Sequence, residues 1–528
     1  MSRNVLKLKK ASLNWALKSA ENFGDTSEFP LPFEYSAIRS DWSSIRAYLC
    51  QQDILNWETR SARSLLAPKS HFGFRLITQL DPLDFLVFAA VVYELGKDIE
   101  AVRVPVSDEA VFSFRFRPSA DGQMFDPAMG YSQFTSRCKD VCNSGRFSHV
   151  TMADIADFYP RIYHHRLKNA LDAASRKSQH TRAVERLLSG WNATESYGIP
   201  VGSAPARLLA EVTITDIDNA LKSNGITFVR FNDDYRMFAE SKKTAYKQLF
   251  LLAESLYSNH GLQLQPQKTR VLPVSQFRSR FLGSTNETEI ESLQERFHEL
   301  ATELGLESDY EEIQLDDLTE DQQALVSSMN LDSIFRDELL KEDDADFSLL
   351  RFVIRRMAQL GEALLIDPIL SNFETLHPVV KDIVNYFHTL QSLPRIEQRK
   401  IGEAIIHLLK TSFIGDLLHH RMWLLSLFAD SNTWIEGQNL IPLLNTFPDQ
   451  FSRRKLILSL GHASQMHWFQ SHRREVFNET AWPRRALLYG ASCMPSDTCE
   501  HWYRPLRRKL DVLEKAVVTW AMSHPIRS

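Results

Sequence analysis

The sequence has few of the features that mark disulfide-rich, low-complexity or membrane proteins. Five cysteines in 528 residues are too few for a disulfide framework, so we expect a reducing, cytoplasmic environment. With 19 glycines and 21 prolines, the chain is not a low-complexity or collagen-like sequence. It has no apolar run long enough to span a bilayer, and residues 1–23 lack the apolar core of a secretory signal. We therefore expect a cytoplasmic protein without a membrane partner.

The charge of the chain is unevenly distributed. The net charge is −5, but residues 286–347 alone contain 21 acidic and 3 basic residues. The remainder of the chain has 58 basic and 45 acidic residues, a net charge of +13. This mildly basic remainder permits a polyanionic partner but does not require one, because surplus basic residues are often only a solvated surface.

Residues 1–285 alternate short β-like runs with helical patterns, which predicts an α+β domain. The predicted strands are AVRVPV, VFSFRFRP, SHVTMADI, GITFVRF and YRMFAE, and the predicted helices include PLDFLVFAAVVYELGKDI and SAPARLLAEVTITDIDNAL.

The rest of the chain has helical patterns. The acidic residues 286–347 include EIESLQERFHELATEL, which predicts a helical connector. Residues 348–528 contain similar basic–apolar segments whose arginines, Arg421, Arg454 and Arg485, are 33 and 31 residues apart. This spacing suits the stacked helix pairs of a HEAT-like repeat domain, with an irregular helical bundle as the alternative.

The run FVRFNDDYRMF, residues 228–238, places Asp233 and Asp234 between two apolar segments. Asn232 and Asp233 suit a tight hairpin turn, and such a turn alone needs no further function. A second acidic position changes this reading, because the predicted strand SHVTMAD ends at Asp154. If that strand lies beside the hairpin, three carboxylates meet and repel one another unless a cation neutralises them. Mg²⁺ suits such a site, and two ions would serve phosphoryl transfer.

These motifs together resemble a reverse transcriptase. MADIADFYPRIY is similar to the first palm motif, and FNDDYRMF to the aromatic-x-Asp-Asp motif, with phenylalanine in the usual tyrosine position. YGIPVGSAPARLLAE resembles the Gly-x-Pro-x-Gly motif. GLQLQPQKTRVLP and RFLGS resemble the lysine-threonine motif and the closing turn, and LAPKSHFGFRLITQLDPLD resembles the fingers segment. The six motifs occur in the family's order over residues 65–285. The resemblance implies polymerase fingers and palm in residues 1–285, with the repeat domain, residues 348–528, in place of the thumb.

The resemblance also implies roles for particular residues. Asp154, Asp233 and Asp234 would bind two Mg²⁺ ions, with Mn²⁺ as a substitute, and the main-chain carbonyl of Ile155 would assist. Lys268 would act as general acid near the leaving pyrophosphate, although a solvated lysine is the alternative. The other implied residues contact the deoxynucleoside triphosphate. Tyr159 would be a steric gate against the 2′-hydroxyl, and the triphosphate ligands would be Arg75, Lys69 and Arg115. The motif formed by Gly198, Pro200 and Gly202 would let the main chain approach the substrate closely. A core aromatic is the alternative for Tyr159, and structural salt bridges are the alternative for Lys69 and Arg115.

The helical region after the palm is similar to that of bacterial abortive-infection and defence-associated reverse transcriptases. This implies an antiphage role, an RNA template such as an associated non-coding RNA, a DNA product and a homo-oligomer. Members of that group differ in their reaction, so template-independent or protein-primed DNA synthesis stays open. A non-catalytic RNA-binding scaffold and a splicing cofactor are the alternatives from other classes.

Overall fold

The computed structural model describes residues 5–192, 195–282, 319, 329–341 and 344–526. These form two compact units. The first comprises Met1–Tyr35, Trp42–Ser64 and Leu76–Thr288, and the second comprises Ser36–Asp41, Leu65–Arg75 and Glu289–Ser528. The predicted boundary after residue 285 lies outside the described residues. Most of the predicted acidic connector lies outside the described residues.

In residues 5–192 and 195–282, strands are few and α-helices are many. In chain order they are α1 (Lys10–Phe23), α2 (Glu34–Ser40), α3 (Trp42–Gln51), α4 (Pro82–Val102), α5 (Tyr131–Asn143), α6 (Phe158–Arg161), α7 (His164–Ala174), α8 (Ser178–Trp191), α9 (Ala204–Thr213), α10 (Thr215–Ser223), α11 (Lys242–His260) and α12 (Val274–Phe281). Helix α4 confirms the prediction for PLDFLVFAAVVYELGKDI, and the second predicted helix forms as two, α9 and α10.

The strands form a hairpin and a four-stranded antiparallel sheet. Strands β1 (Arg63–Pro68) and β2 (Phe74–Gln79) pair with each other. The larger sheet has the order β4-β5-β3-β6, from β3 (His149–Asp154), β4 (Thr227–Phe231), β5 (Asp234–Ala239) and β6 (Arg270–Pro273). The two-residue turn between β4 and β5 is Asn232–Asp233, as predicted.

Helices pack on both faces of this sheet. Val150, Met152 and Phe238 belong to a buried cluster with Phe134 and Cys138 of α5. Helix α11 contacts β3, β5 and β6. The strand β3 is therefore central and buried, which fixes the position of its last residue at one end of the sheet.

Two predicted strands, residues 101–106 and 111–118, are not strands. Residues 101–102 end α4, and residues 111–118 have only isolated bridges, with Phe114 at φ 47°. Side chains bind the carbonyls that a neighbouring strand would otherwise bind: Arg103 donates to the carbonyls of Ser113 and Phe114 at 2.7 and 2.8 Å. Apolar alternation alone does not reveal this kind of partner.

The C-terminal part of the second unit is helical. Its α-helices are α13 (Leu331–Leu339), α14 (Phe347–Gln359), α15 (Ile366–Ser371), α16 (Val380–Thr389), α17 (Arg395–Thr411), α18 (Leu418–Ala429), α19 (Leu443–Thr446), α20 (Gln450–His462), α21 (Met466–Ser471), α22 (Ala481–Gly490), α23 (Ser496–Leu506) and α24 (Val512–Ser523). Helices α14, α16, α18, α20, α22 and α24 contact one another in succession. Such nearest-neighbour stacking is the arrangement of a solenoid.

The spaced arginines of the repeat pattern lie within this stack. Arg421 donates to Asp449 at 2.9 Å, and Arg454 donates to the carbonyl of Trp482 at 3.0 Å. Arg485 is fully buried, with its guanidinium over the ring of Trp482. Arg421 and Arg454 therefore join neighbouring segments of the stack, whereas the contact between Arg485 and Trp482 lies within α22.

In the part of the chain that the structure describes, no helix is both long and apolar enough to cross a membrane. All five cysteines are free thiols, and four of them are buried.

Candidate active site

The structure brings the three predicted carboxylates together at one end of the four-stranded sheet. Asp154, the last residue of β3, lies directly opposite Asp234, the first residue of β5. Opposed residues of an antiparallel pair have Cβ atoms about 4.5–5.5 Å apart. Asp233 occupies the adjoining turn, where its carbonyl accepts a hydrogen bond from the N–H of Ile155 at 3.1 Å.

The carboxylates differ in how their charge is balanced. Lys268 lies 2.8 Å from Asp154, and Arg236 lies 3.3 Å from Asp234. Burial, followed by the charges of Asp154 and Asp234, raises the pKa of Asp233 to about 6. Burial lowers the pKa of Lys268, but the hydrogen bond and charge of Asp154 outweigh it, so the net shift is upward. Asp233 is thus a buried carboxylate whose pKa is raised further by the two neighbouring carboxylates.

The side chains are not set out as a ready metal site. Within the described ranges, no group of three or more His, Cys, Asp or Glu residues is arranged to hold a metal ion. At this site, Lys268 binds Asp154 and Arg236 binds Asp234. The donor set itself fits a hard divalent cation, because it is made of carboxylates and the repulsion at Asp233 would be relieved by a positive ion.

Tyr159 lies beside the turn that carries Asp233. It follows β3 in the short helix α6, and its hydroxyl donates to Oδ1 of Asn232 at 3.0 Å. Burial raises the pKa of this hydroxyl, so it is a neutral donor at physiological pH.

The Gly-x-Pro-x-Gly loop lies against the segment that carries Tyr159. The N–H of Ile199 donates to the carbonyl of Tyr159 at 3.2 Å, and the N–H of Gly198 donates to the carbonyl of Ile162 at 2.8 Å. Gly198 and Gly202 have φ of +90° and +113°. A Cβ on Gly202 would stand 2.3 Å from the hydroxyl oxygen of Thr26. The loop, with Pro200 buried within it, needs glycine at both ends.

The three predicted triphosphate ligands fall in different environments. Lys69 and Arg75 are exposed in the β1–β2 hairpin, in its segment that belongs to the second unit. Arg115 is 4% exposed, with its guanidinium 2.5 Å from Glu100 and donating to the carbonyl of Val104 at 2.9 Å. The structure therefore favours the salt-bridge alternative for Arg115 over a triphosphate contact.

The sequence reasoning missed a buried charge network beneath the hairpin turn. Arg230 on β4 is fully buried and donates to Glu211 of α9 and Asp218 of α10 at 2.8 and 2.6 Å. It also donates to the main-chain carbonyl of Asn232 at 2.8 Å. Arg103 donates to the same Glu211 at 2.6 Å. The clue was a charged residue inside an apolar strand, because a buried arginine requires carboxylate partners.

One protein-family model matches part of the chain. Residues 106–286 match the family model of the reverse transcriptase (RNA-dependent DNA polymerase). No curated protein sequence matches the chain.

Two solved telomerases are similar in structure. For telomerase from Candida albicans in complex with a TWJ fragment of telomeric RNA, the identity is 13% and the TM-score 0.32, over 73% of this chain and 71% of that one. For apo telomerase from Candida tropicalis, the identity is 11% and the TM-score 0.33, over 74% and 73%. At such TM-scores the likeness carries no further argument.

The family match establishes a reverse transcriptase domain and confirms the predicted fold class, with a helical C-terminal region after it. The chain is an enzyme of the nucleotidyltransferase class, an RNA-directed DNA polymerase. Enzymes of this family use divalent metal ions.

Proposed function

We propose that the chain extends a primer with deoxynucleotides, using two Mg²⁺ ions held by Asp154, Asp233 and Asp234. The observation that carries this proposal is the convergence of the three carboxylates, whose mutual charge adds to burial in raising the pKa of Asp233, inside the region that matches the family model. A pair of Mg²⁺ ions would neutralise that charge and polarise the reacting oxygens, with Mn²⁺ as a substitute and the carbonyl of Ile155 as a further ligand.

The reaction joins a primer 3′-hydroxyl to the α-phosphorus of a deoxynucleoside triphosphate. The 3′-hydroxyl gives its proton to water, the new P–O bond forms as the bond to the leaving pyrophosphate breaks, and Lys268 supplies a proton to the pyrophosphate. The ring of Tyr159 excludes a 2′-hydroxyl, and Gly198, Pro200 and Gly202 admit the substrate to the backbone. Arg75 and Lys69 bind the triphosphate.

We assign the enzyme to bacterial antiphage defence, in the cytoplasm, as a homo-oligomer that copies an associated non-coding RNA. The support is the order of domains in the chain, in which stacked helices follow a reverse transcriptase domain. This order resembles that of the defence-associated reverse transcriptases.

The decisive experiment is to purify the protein from cells with its nucleic acid and to sequence the bound RNA and DNA. The test variant combines Asp233→Asn with Asp234→Asn, which keeps the side-chain size and removes the charge. The matched control is Asp216→Asn, since Asp216 lies in the same unit but binds His260 at 2.9 Å. We expect DNA complementary to a bound RNA from the wild type and the control, and none from the test variant.

The other outcomes separate the alternatives. DNA of biased sequence that stays with the protein on phenol extraction would support untemplated, protein-primed synthesis instead. Identical nucleic acid from the wild type and the test variant would contradict both forms of polymerase and leave the RNA-binding scaffold. For the metal, EDTA should abolish primer extension and Mg²⁺ should restore it; restoration by Mn²⁺ alone would contradict the choice of ion.

The defence role has its own test. Bacteria that express the wild type should plate phage less efficiently than bacteria that express the Asp233→Asn, Asp234→Asn variant. Equal plating across a broad phage panel, with polymerase activity intact, would contradict the defence role alone.

A further inference from the structure

The side chain of Asn232 joins the proposed steric gate to a proposed metal ligand. Its Oδ1 accepts the hydrogen bond from the Tyr159 hydroxyl at 3.0 Å, and its Nδ2 donates to Oδ1 of Asp233 at 2.9 Å. The result is a continuous chain of hydrogen bonds from the ring of Tyr159 through one amide to the carboxylate of Asp233.

The chemistry of the partners fixes the orientation of this amide. The Asp233 carboxylate can only accept, so the group facing it must be the NH₂ of Asn232. The opposite orientation would place the amide oxygen against a carboxylate oxygen and would aim the NH₂ at the hydroxyl. The amide oxygen is therefore committed to Tyr159, whose hydroxyl is a neutral donor.

The backbone of Asn232 is also constrained. Its φ is +56°, a left-handed conformation that asparagine tolerates better than most residues. Its carbonyl accepts a hydrogen bond from the fully buried Arg230 at 2.8 Å. Because Arg230 fixes the main chain of the turn, the Asn232 amide is a fixed anchor for the hydroxyl of Tyr159.

We propose that Asn232 is a specificity-determining residue that sets the discrimination between deoxynucleoside and ribonucleoside triphosphates by anchoring the Tyr159 ring relative to Asp233. This inference rests on the proposed function, in which that ring excludes the 2′-hydroxyl. A ring rejects a substituent only where it is held in place. Asn232 acts through Tyr159, so it is a positioning residue rather than a catalytic one.

Two substitutions remove the anchor from opposite ends. Asn232→Gly deletes the amide and keeps the positive φ without strain. Tyr159→Phe deletes the hydroxyl and keeps the ring. A third variant, Tyr159→Ala, removes the ring and measures the whole gate. The double variant Asn232→Gly with Tyr159→Phe tests whether the two groups act through one hydrogen bond.

The assay measures kcat/KM for dTTP and for UTP on poly(rA) primed with oligo(dT). The ratio of the two values should fall about 3- to 10-fold in Asn232→Gly and in Tyr159→Phe, the usual range for one hydrogen bond. It should fall no further in the double variant, and most in Tyr159→Ala. A companion measurement compares the shift in melting temperature that dTTP and UTP produce without primer, and the preference for dTTP should weaken in the same variants.

The outcomes separate this inference from the function on which it rests. A ratio within about twofold of the wild type in Asn232→Gly, or effects that multiply in the double variant, would overturn the role of Asn232. A large fall of the ratio in Tyr159→Ala would still support Tyr159 as the steric gate. An unchanged ratio in Tyr159→Ala would overturn the gate and the anchor together. No incorporation of dTTP by the wild type and no dTTP-dependent melting shift would contradict the proposed polymerase itself, and the inference with it.

Discussion

Arginines bind carboxylates in both units, but the partners come from different places in the chain, and the arginine of the first unit is the more deeply buried. In the first unit, Arg230 contacts Glu211 and Asp218 on two separate helices and also holds the turn at Asn232. In the second unit, four arginines each bind an acid 26 to 30 residues further on, mostly on the next helix of the stack or next to it. These pairs are Arg355–Asp382, Arg421–Asp449, Arg453–Glu479 and Arg484–Glu514.

The difference lies in how many contacts depend on one side chain. A pair in the stack joins one helix to its neighbour, and the rest of the stack has its own pairs. Arg230 is the only cation that the structure records against Asp218, and it shares Glu211 with Arg103. Loss of Arg230 leaves Asp218 buried with no positive partner, whereas loss of Arg421 leaves Asp449, whose side chain is 22% exposed to water.

The largest expected effect follows from that contrast. Arg230→Met should destabilise the first unit by about 3–5 kcal/mol, because it leaves Asp218 and Glu211 buried with too little positive charge. Arg421→Met, the matched change in the second unit, should cost about 1 kcal/mol, since its partner Asp449 is only partly buried. Hydrogen exchange read by peptides of β4–β5 and of α18–α20 measures each unit separately. Equal losses of protection would refute the comparison.

The units should also respond to acid in opposite directions. In the second unit, burial and then the charges of His71 and His377 lower the pKa values of His377 and His420, respectively, to about 4. In the first unit, burial raises the pKa of Asp25 to about 7. The unfolded chain binds more protons than the folded second unit between pH 6.5 and 4, so that unit loses stability as the pH falls. Asp25 binds its proton more readily when folded, so it favours the first unit as the pH falls from 7 towards 4.

The expected size is about 2 kcal/mol for each group between pH 7.5 and 5. Hydrogen exchange at the two pH values, corrected for intrinsic rates, should show weaker protection in the second unit and stronger protection in the first. Asp25→Asn should reduce the gain in the first unit, and His420→Gln should reduce the loss in the second. Parallel changes in both units would contradict these assignments.

The stack also depends on close backbone contact. A Cβ on Gly402 of α17 would stand 1.9 Å from the carbonyl oxygen of Trp434, which is main chain and cannot turn aside. Gly402→Ala should therefore cost the second unit about 1–3 kcal/mol. Gly130→Ala in the first unit is the control, because its Cβ would meet only Gln133 Oε1, at 3.4 Å. A comparable melting temperature for both variants would show that the helix and the Trp434 segment can separate.

Much of the fold and of the candidate site follows from local sequence pattern. The hairpin around Asn232 and Asp233, the end of β3 at Asp154 and the long helix α4 each rest on a few consecutive residues. The 31- to 33-residue spacing of arginines likewise reports stacked helices, because each repeat meets only its neighbours.

The contacts that the sequence did not reveal join residues that are separated along the chain. Arg115 has the residue type of a phosphate ligand but binds Glu100, and nothing in its own segment distinguishes the two. The same holds for Arg230 with Glu211, and for the hydroxyl of Tyr159 with Asn232. Pairing of this kind is set by tertiary packing, which neither periodicity nor residue type encodes.

The smallest expected effect tests whether the pairs of the stack stabilise it at all. Arg453 and Glu479 have side chains that are 25% and 12% exposed, whereas Arg399 and Glu436 form a pair that is 44% and 50% exposed. A double-mutant cycle with Arg→Met and Glu→Gln should give a coupling of about 1 kcal/mol for the first pair and near zero for the second. Salt at 1 M should weaken both, because the screening length falls to about 3 Å. Equal coupling in the two pairs would mean that burial does not set their strength, and the stack would then be held by its apolar contacts alone.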